Sequence, residues 1–335
     1  MSKYRVAVVG ATGAVGQEML SVLETRNFPV AELVPLASDR SRGKTVTFRG
    51  QEHPIRVLDK DSFTGVHLAL FSAGGSISKE MAPFAVKAGA IVVDNSSAFR
   101  MEPEVPLVVP EVNRDAIAKH AGIIANPNCS TIIMCVAITP IHRLSPIQRI
   151  VASTYQATSG AGAKGMDALL REVEGEGKEA GAKAKDSPFP HRISGNLIPR
   201  IDTLQENGYT REEMKMVLET RKIMGLPPIP ISATCVRVPV ERAHSESIQI
   251  TTRSPLTLEQ IRAAIAAAPG VSLLDSPRED VYPTPLSVSG QDDVYVGRIR
   301  RHPDEPATYD LWVVGDQIRK GAALNAVQIA EELFP

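Results

Sequence analysis

Several features are scarce in this 335-residue sequence, and each absence excludes a class of protein. Three cysteines in a chain of this length argue against a disulfide framework. No apolar run approaches the ~18 residues of a membrane-spanning helix, and nothing resembling a signal peptide precedes Gly10. We therefore expect a soluble, cytoplasmic protein.

Charge excess, repeats and low-complexity segments are also missing. The formal net charge is only -1, which argues against nucleic-acid or membrane partners held by bulk electrostatics. The absence of internal repeats argues against a solenoid. At this length the chain should form about two domains, and we expect their ligand to be a small molecule.

A glycine-rich turn near the N-terminus predicts a dinucleotide site. The apolar strand Tyr4 to Gly10 leads into Gly10-Ala11-Thr12-Gly13-Ala14-Val15-Gly16, which opens a helix ending near Arg26. Glycines let the backbone approach a phosphate, and the helix N-terminus supplies N–H donors for a pyrophosphate. The spacing is a variant pattern, yet its place between first strand and first helix favours dinucleotide binding over a tight turn alone.

The residues after the second strand bear on the choice of cofactor. Strand Glu32 to Ala37 is followed by Asp39, Arg40 and Ser41. An arginine here accommodates a 2′-phosphate, whereas an acid bonds the ribose hydroxyls of NAD. Arg40 and Ser41 favour NADP, whereas Asp39 favours NAD.

Further strands and helices alternate as in an open parallel sheet, a Rossmann-like α/β domain. Strand Val66 to Phe71 ends at Ser72, and right-handed crossovers place that turn at the same carboxyl edge as the glycine loop. Strand Ala90 to Val93 leads into a polar loop with Arg100. That arginine is either an anion contact at this edge or a solvated loop charge.

Cys129 is placed where a thiol becomes reactive. A buried strand ends at Ala125, Pro127 turns the chain, and Asn128 caps an apolar helix that runs to about Leu144. The dipole of a helix N-terminus lowers a thiol pKa and stabilises a neighbouring oxyanion. The alternative is a cysteine that only packs as a small hydrophobe.

The second half of the chain reads as an α+β, mainly antiparallel domain. Strand Ile147 to Tyr155 precedes Gln156 and a charged helical stretch to about Ala184, and residues 175–199 look like a lid or a dimer arm. The remaining predicted elements are helix 211–224, strands 231–240 and 245–252, helix 258–268, strands 293–300 and 308–314, and a helix within 316–333 that we expect to return to the first domain.

Arg237 and His244 form a second candidate pair. Arg237 lies on a strand, and the chain turns at Glu241–Ala243 to present His244 at the start of the next strand. A lone histidine is more often structural than catalytic, so His244 by itself does not indicate a catalytic role.

Together, several ordered motifs resemble aspartate-semialdehyde dehydrogenases. They are Gly-Ala-Thr-Gly-Ala-Val-Gly at 10–16, Ser-Ser-Ala-Phe-Arg at 96–100, Asn-Pro-Asn-Cys-Ser at 126–130, Tyr-Gln-Ala-Thr-Ser-Gly-Ala-Gly at 155–162 and Arg-Val-Pro-Val-x-Arg-x-His at 237–244. The resemblance implies reductive dephosphorylation of L-4-aspartyl phosphate by NADPH, in lysine, diaminopimelate, threonine, methionine and isoleucine biosynthesis. It also implies a homodimer or homotetramer.

The resemblance assigns roles residue by residue. Cys129 is the nucleophile and His244 the acid/base. Substrate is bound by Gln156, Glu212 and Arg237, and phosphate by Arg100 and Lys215. Cofactor contacts are expected from Gly10, Thr12, Gly13, Ala14, Val15, Arg40, Ser41, Ser72, Ser159, Gly160 and Asn325, and no metal is expected. The implied domains are 1–130 with 316–335 for NADP, and 131–315 for catalysis and dimerisation.

Two of these assignments change how the residues are understood. Glu212 and Lys215 share one face of a helix, and without the resemblance both read as solvated surface charges. Cys135 and Cys235 read as packing residues.

Two rival functions follow from the same motifs. An N-acetylglutamyl-phosphate reductase has a similar fold, but its N-acetylated substrate has no ammonium group to pair with Glu212. A non-catalytic NADP-binding redox sensor would explain the glycine loop and Cys129. It gives no reason for Arg100, Arg237 and His244 together.

Overall fold

The computed structural model describes residues 3–179 and 181–334, so the outer limits of the predicted domains and Ala180 lie outside the described residues. The strands are β1 Tyr4–Val9, β2 Val30–Ala37, β3 Thr45–Phe48, β4 Gln51–Pro54, β5 Arg56–Val57, β6 Leu68–Phe71, β7 Ile91–Asp94, β8 Ile123–Ala125, β9 Ile147–Gln156, β10 Ile231–Arg237, β11 His244–Thr252, β12 Val271–Leu273, β13 Val294–Arg301 and β14 Thr308–Gly315. The α-helices are α1 Ala14–Thr25, α2 Gly75–Lys87, α3 Pro110–Asn113, α4 Cys129–Leu144, α5 Ala163–Val173, α6 Arg211–Met224, α7 Leu258–Ala266, α8 Pro285–Val288 and α9 Leu324–Leu333.

The chain divides into two compact units. Unit 1 comprises residues 1–128 with 322–335, and unit 2 comprises residues 129–321. The limits predicted from the sequence, 130/131 and 315/316, stay a prediction. In the described part of the chain no helix is long and apolar enough to cross a membrane.

Unit 1 is built on a six-stranded parallel sheet in the order β5-β2-β1-β6-β7-β8. Successive residues of β1 alternate between two apolar cores, as expected for a strand buried on both faces. Val6 and Val8 pack with α1 and α9 on one face, and Ala7 and Val9 pack with α2 on the other. The Rossmann-like fold is thereby confirmed, with the terminal helix in unit 1.

Unit 2 contains a mixed sheet in the order β10-β9-β11-β14-β13-β12. The β9–β11, β11–β14 and β13–β14 pairs are antiparallel, and the β9–β10 and β12–β13 pairs are parallel. Helices α4, α6 and α7 pack on this sheet. The fold is the predicted mainly antiparallel α+β arrangement.

Three predicted element bounds were wrong in instructive ways. The charged stretch after β9 is helical only over Ala163–Val173, because Gly175, Gly177 and Gly181 adopt positive φ and end the helix. The terminal segment begins with a π-helical turn, Arg319–Ala323, before α9. Strand β10 ends at Arg237 rather than Val240.

The segment 175–199 is organised by two charged side chains. The buried Glu172 carboxylate accepts the backbone N–H groups of Ala184, Ile193 and Ser194 at 2.8–2.9 Å. The Arg192 guanidinium donates to backbone carbonyls of residues 172, 176 and 182. These bonds fold the segment onto unit 2, and its role as lid or dimer arm stays a prediction.

Candidate active site

Cys129 is the first residue of α4, as the sequence predicted. Its thiol is partly exposed, whereas Cys135 and Cys235 are buried. Burial raises the pKa of the Cys135 thiol to about 12 and also raises that of Cys235, so both stay protonated. Gly321 lies against Cys129, because a Cβ added there would stand 2.9 Å from the cysteine Cβ. The reactive position among the cysteines is therefore Cys129.

Three polar residues lie side by side on the sheet of unit 2. The parallel register of β9 and β10 places Gln156 beside Arg237, and β11 begins at His244. All three side chains are nearly fully buried. The Arg237 guanidinium donates to the Ala157 carbonyl oxygen at 2.5 Å, and the Ala157 N–H donates to His244 Nδ1 at 3.0 Å. Ala157 thus anchors the arginine and the histidine together.

The environment of His244 keeps its imidazole neutral. Burial, together with the nearby Arg237 charge, lowers the pKa of His244 to about 3. Because Nδ1 accepts a hydrogen bond, the proton of the neutral ring lies on Nε2. His244 therefore presents an N–H donor to the site.

Glu212 connects the substrate-binding candidates. Its Oε1 accepts from Gln156 Nε2 at 3.0 Å, and its Oε2 accepts from Lys215 Nζ at 3.0 Å. Gln156 Nε2 also donates to Ser130 Oγ, next to Cys129, at 2.5 Å. A hydrogen-bonded chain thus runs from the start of α4 to the start of α6.

Lys215 bridges two carboxylates. It bonds Asp202 at 2.9 Å as well as Glu212. Although burial works against the charged form, these carboxylates raise the pKa of Lys215 above its ordinary value. The residue-only interpretation of Glu212 and Lys215 as solvated charges was wrong, since Glu212 is only 6% exposed.

Gly160 lies where no side chain fits. A Cβ there would stand 2.8 Å from Arg237 Nη1 and 3.2–3.3 Å from the His244 ring. The neighbouring Ser159 is buried and accepts a hydrogen bond from Gln317 Nε2, while Gln317 Oε1 accepts the Ala243 N–H at 2.8 Å. Ser159 and Gly160 therefore line the same site as His244.

The glycine loop of unit 1 packs closely against the turn at Ser72. Gly10 has φ of +86°, and a Cβ there would stand 2.6 Å from the Ser72 carbonyl oxygen. Helix α1 starts at Ala14 and continues with Val15, and Gly13 at the N-cap brings no side-chain cap. Backbone N–H groups at such a helix start are the donors that bind pyrophosphate in dinucleotide sites, and the contacts of these residues with a cofactor stay a prediction.

Residues after β2 lie beside that loop. Thr12 Oγ1 and Ser41 Oγ are hydrogen-bonded at 3.2 Å. Asp39 pairs with Arg42 at 2.6 Å, whereas within the described ranges the exposed Arg40 forms no salt bridge. Asp39 is therefore engaged by a residue that the sequence analysis did not single out, and Arg40 remains available for an anion.

Arg100 and Asn325 belong to a buried polar network in unit 1. Arg100 Nε donates to the Asn126 carbonyl at 2.9 Å and its Nη2 to the Asn95 carbonyl at 3.0 Å. Asn325 Nδ2 donates to Asn126 Oδ1 at 2.6 Å and to the Val108 carbonyl at 2.9 Å. Both side chains thus hold the loop after β8, and their contacts with phosphate and cofactor stay predictions.

Sequence reasoning missed four residues with polar roles. They are Ser130, Asp202, Gln317 and Arg42. Ser130 follows the candidate nucleophile directly, which was a usable signal. The contacts of Asp202 and Gln317 join residues far apart in the chain, which no local pattern reveals.

Comparison with known proteins identifies the family. The family model "Semialdehyde dehydrogenase, NAD binding domain" matches residues 5–120, and "Semialdehyde dehydrogenase, dimerisation domain" matches residues 138–320. Aspartate-semialdehyde dehydrogenase of Aquifex aeolicus is 54% identical over 335 residues, covering 98% of each chain. That of Bacillus subtilis is 50% identical, covering 98% of this chain and 96% of its own. The chain belongs to the aspartate-semialdehyde dehydrogenase family.

Solved structures agree with this assignment. Aspartate semialdehyde dehydrogenase II of Vibrio cholerae complexed with ASA has a TM-score of 0.94 at 46% identity, covering 99% of this chain and 98% of its own. The Candida albicans enzyme with NADP has a TM-score of 0.78 at 25% identity, covering 99% and 98%. The predicted family, fold class and oxidoreductase activity are thus confirmed: the chain is an aspartate-semialdehyde dehydrogenase of amino-acid biosynthesis.

Proposed function

We propose that the residues around Cys129 carry out the NADPH-dependent reductive dephosphorylation of L-4-aspartyl phosphate, and that Cys129 forms the thioester. The observation that carries this assignment is the joint burial of Arg237 and Glu212, hydrogen-bonded to Ala157 and Gln156 respectively. A free amino acid has both a carboxylate and an ammonium group. The site offers one charge for each.

Cys129 supplies the nucleophile. Its position at the N-terminus of α4 favours the thiolate and places backbone N–H groups beside the reacting carbonyl. The sulfur attacks the acyl carbon of the aspartyl phosphate, the C–O bond to phosphate breaks, and phosphate leaves with the electron pair. The product of this step is a thioester on Cys129.

The glycine loop and Ser72 of unit 1 would hold the pyrophosphate of NADPH, with Arg40 and Ser41 at the 2′-phosphate. Bound NADPH supplies the hydride that reduces the thioester. Gly10 lets the loop turn at positive φ close against the Ser72 backbone, and Arg40 is a cation at the place where 2′-phosphates are bound. These features fit NADP, which is named for the Candida albicans relative.

His244 acts on the oxygen of the thiohemiacetal that follows. The neutral imidazole donates from Nε2, because Ala157 occupies Nδ1. Hydride addition leaves this oxygen as an alkoxide, to which the Nε2–H donates a hydrogen bond. The alkoxide re-forms the C=O bond as the carbon–sulfur bond breaks, the electron pair of that bond returns to Cys129 as a thiolate, and the aldehyde is released without a proton transfer. His244 thus stabilises charge on oxygen without itself starting from a charged form.

Arg237, Glu212 and Gln156 orient the substrate. Arg237 pairs with the α-carboxylate in the bidentate geometry that guanidinium groups favour. Glu212 pairs with the ammonium group, and Gln156 fixes the acyl group near Cys129 through its bond to Ser130. Lys215 and Arg100 are the proposed phosphate contacts, as the family motifs imply for each of them.

The family's dimerisation domain, residues 138–320, supports a homodimer or homotetramer. A cytoplasmic location accords with the small soluble metabolites of the reaction.

Substrate choice is tested by following NADPH formation in the reverse direction. L-aspartate 4-semialdehyde should be oxidised only when phosphate is present, and N-acetylglutamate semialdehyde should be a poor substrate. Glu212→Ala should raise the KM for the aspartate aldehyde more than that for the acetylated aldehyde. Faster turnover of the acetylated aldehyde by the wild type would overturn the substrate assignment.

A further inference from the structure

A second row of polar side chains lies directly beneath the catalytic row of unit 2. Side chains two residues apart on a strand share a face, so Thr154, Cys235 and Glu246 lie on the face of Gln156, Arg237 and His244. The register pairs Thr154 with both Cys235 and Glu246. Glu246 is thus one strand step away from the catalytic histidine.

Glu246 is an unusual residue for a protein core. It is 0% exposed, and neither of its carboxyl oxygens has a hydrogen-bond partner within the described residues. Burial alone raises the pKa of Glu246 well above its ordinary value. A buried carboxyl without a compensating cation takes up a proton rather than keep its charge.

The ionisable groups nearest to Glu246 offer no positive charge to hold it ionised. Arg237 lies on the same face but two strands away, and the groups that act on its charge are Glu212, Cys129 and Cys235. Cys235 lies across β9 on the same face, and Cys135 of α4 and Glu219 of α6 lie on the helices that cover it. His244 on its own strand is neutral. Each of the nearest groups is neutral or negative, which favours the protonated carboxyl.

Two further orphaned atoms lie on the same face. Gln156 Oε1 is buried and, in the described part of the chain, also lacks a partner, while the buried Thr154 Oγ1 has only the weak thiol of Cys235 beside it there. Buried polar atoms in native proteins are almost always satisfied, and a cluster of several such atoms is the setting in which internal water is found. Glu246, Thr154 and Gln156 together supply the two to four partners that one such water molecule needs.

The missing partner matters most at Gln156. Its Nε2 already donates to Ser130 and Glu212, so only its Oε1 remains to be satisfied. If the amide turned over, its oxygen would face the Glu212 carboxylate. A donor at Oε1 therefore fixes the orientation in which Gln156 holds the residue next to Cys129.

We propose that Glu246 is a positioning residue for the reaction: it stays protonated and, with Thr154 and an internal water molecule, holds the amide of Gln156 from below. The O–H of the Glu246 carboxylic acid donates a hydrogen bond to the water molecule, and the water donates a hydrogen bond to Gln156 Oε1. The inference rests on the proposed role of Gln156 beside Cys129. It assigns a role to a side chain that touches neither substrate nor cofactor.

Kinetics of substituted enzymes test the positioning role. Glu246→Leu, which removes the donor at similar volume, should lower kcat roughly tenfold to a hundredfold with little change in KM. Glu246→Gln keeps a neutral donor and should restore most of kcat. Ser247→Ala, on the opposite face of the same strand, serves as the matched control and should behave as wild type. Full kcat in the leucine variant, or an equally slow glutamine variant, would overturn the proposal.

A double-substitution cycle tests the shared water. Thr154→Val removes another partner of the same water molecule. The double variant Glu246→Leu/Thr154→Val should therefore have a kcat only slightly lower than that of Glu246→Leu alone. Additive losses would contradict a common water molecule.

Two measurements need no substrate, so they test the role of Glu246 independently of the proposed reaction. The first is infrared spectroscopy. The infrared difference between wild type and Glu246→Gln at neutral pH should show loss of a protonated carboxyl band; loss of a carboxylate band would overturn the proposal.

The dependence of stability on pH is the second readout. The unfolded chain ionises Glu246 above a pKa of ~4.3, and the folded chain ionises it only at a higher pH. Wild type should therefore lose stability relative to Glu246→Gln as pH rises from 5 to 8, up to about tenfold in the folding constant per pH unit. A pH-independent difference would contradict a raised pKa.

Discussion

The backbone N–H of Ala157 donates to Nδ1 of His244 at 3.0 Å, and this bond sets the tautomer of the imidazole. With Nδ1 occupied as an acceptor, the neutral ring has its only proton on Nε2. His244 is therefore ready to donate to a substrate oxygen and has no vacant nitrogen to take the thiol proton of Cys129. The thiolate depends instead on the start of α4.

This division of roles predicts how His244→Asn behaves. Turnover should fall by roughly a hundredfold to a thousandfold, since the hydrogen-bond donor placed at the developing oxyanion is lost. The rate at which iodoacetamide alkylates Cys129 should change little, because the thiolate is formed without the histidine. An alkylation rate that falls in parallel with turnover would show that His244 is the base for the thiol.

The lowered pKa of His244 also predicts a dependence of stability on pH. The folded chain binds this proton only near pH 3, whereas the unfolded chain binds it near 6.5. Between those values the unfolded state holds more protons, so stability is lost as pH falls, by up to about 1.4 kcal/mol per pH unit. His244→Asn should therefore gain stability relative to wild type between pH 7 and pH 5 in denaturant titrations. A constant difference between the two proteins would contradict the lowered pKa.

Lys215→Met should weaken both phosphate binding and the fold. The variant leaves the Glu212 and Asp202 carboxylates facing each other without the cation that bonds both. We expect a higher KM for phosphate in aldehyde oxidation and a loss of about 1–3 kcal/mol in the free energy of unfolding. Asp202→Asn is the matched control, because it removes one pair and keeps the bond between Lys215 and Glu212. An unchanged phosphate KM in Lys215→Met would exclude Lys215 from the phosphate site.

Gly160→Ala should damage catalysis more than folding. The added methyl group would push against Arg237 Nη1 and the His244 ring, which lie 2.8 Å and 3.2 Å from its position. A displacement of this kind can lower kcat/KM up to about a hundredfold. Steady-state kinetics together with thermal unfolding check this expectation. Wild-type kcat/KM in a normally folded variant would show that Arg237 and His244 can move without a loss of catalytic efficiency.

Arg40→Ala should reduce the preference for NADPH. Losing a cation at the 2′-phosphate should raise the KM for NADPH on the order of tenfold and leave NADH turnover unchanged. Arg42→Ala is the comparison, because Arg42 is bonded to Asp39. A larger loss of NADPH binding in Arg42→Ala than in Arg40→Ala would move the 2′-phosphate contact to Arg42.

Local patterns in the sequence were sufficient to predict the main strands and helices of both units. The strand, the proline and the following apolar run placed the start of α4 at Cys129, because each is a short-range signal. The short strands β3, β4 and β5 escaped prediction because each has four residues or fewer, and among them only β3 alternates between polar and apolar residues. The π-helical turn before α9 could not be predicted either, because four of its five residues form ordinary α-helices and a single glycine, Gly321, does not indicate a π-turn.

The candidate site was predictable only where residues carry recognisable motifs. Arg237 and His244 stand at the end and start of strands, which the sequence shows. The burial of Glu212 depends on β9 bringing Gln156 to it across 56 residues, and the exposed appearance of α6 conceals that contact. The orphaned carboxyl of Glu246 likewise looks in sequence like an ordinary polar residue on an alternating strand.

Acylation of Cys129 in the absence of NADPH is the most direct test of the proposed chemistry. Mixed with L-4-aspartyl phosphate, the wild-type enzyme should release one phosphate per site in a rapid burst and gain the mass of one aspartyl group on the peptide that contains Cys129. Cys129→Ser should show neither, although it binds NADPH normally. A burst that survives in Cys129→Ser, or an aspartyl group found on Cys135 or Cys235, would contradict Cys129 as the nucleophile.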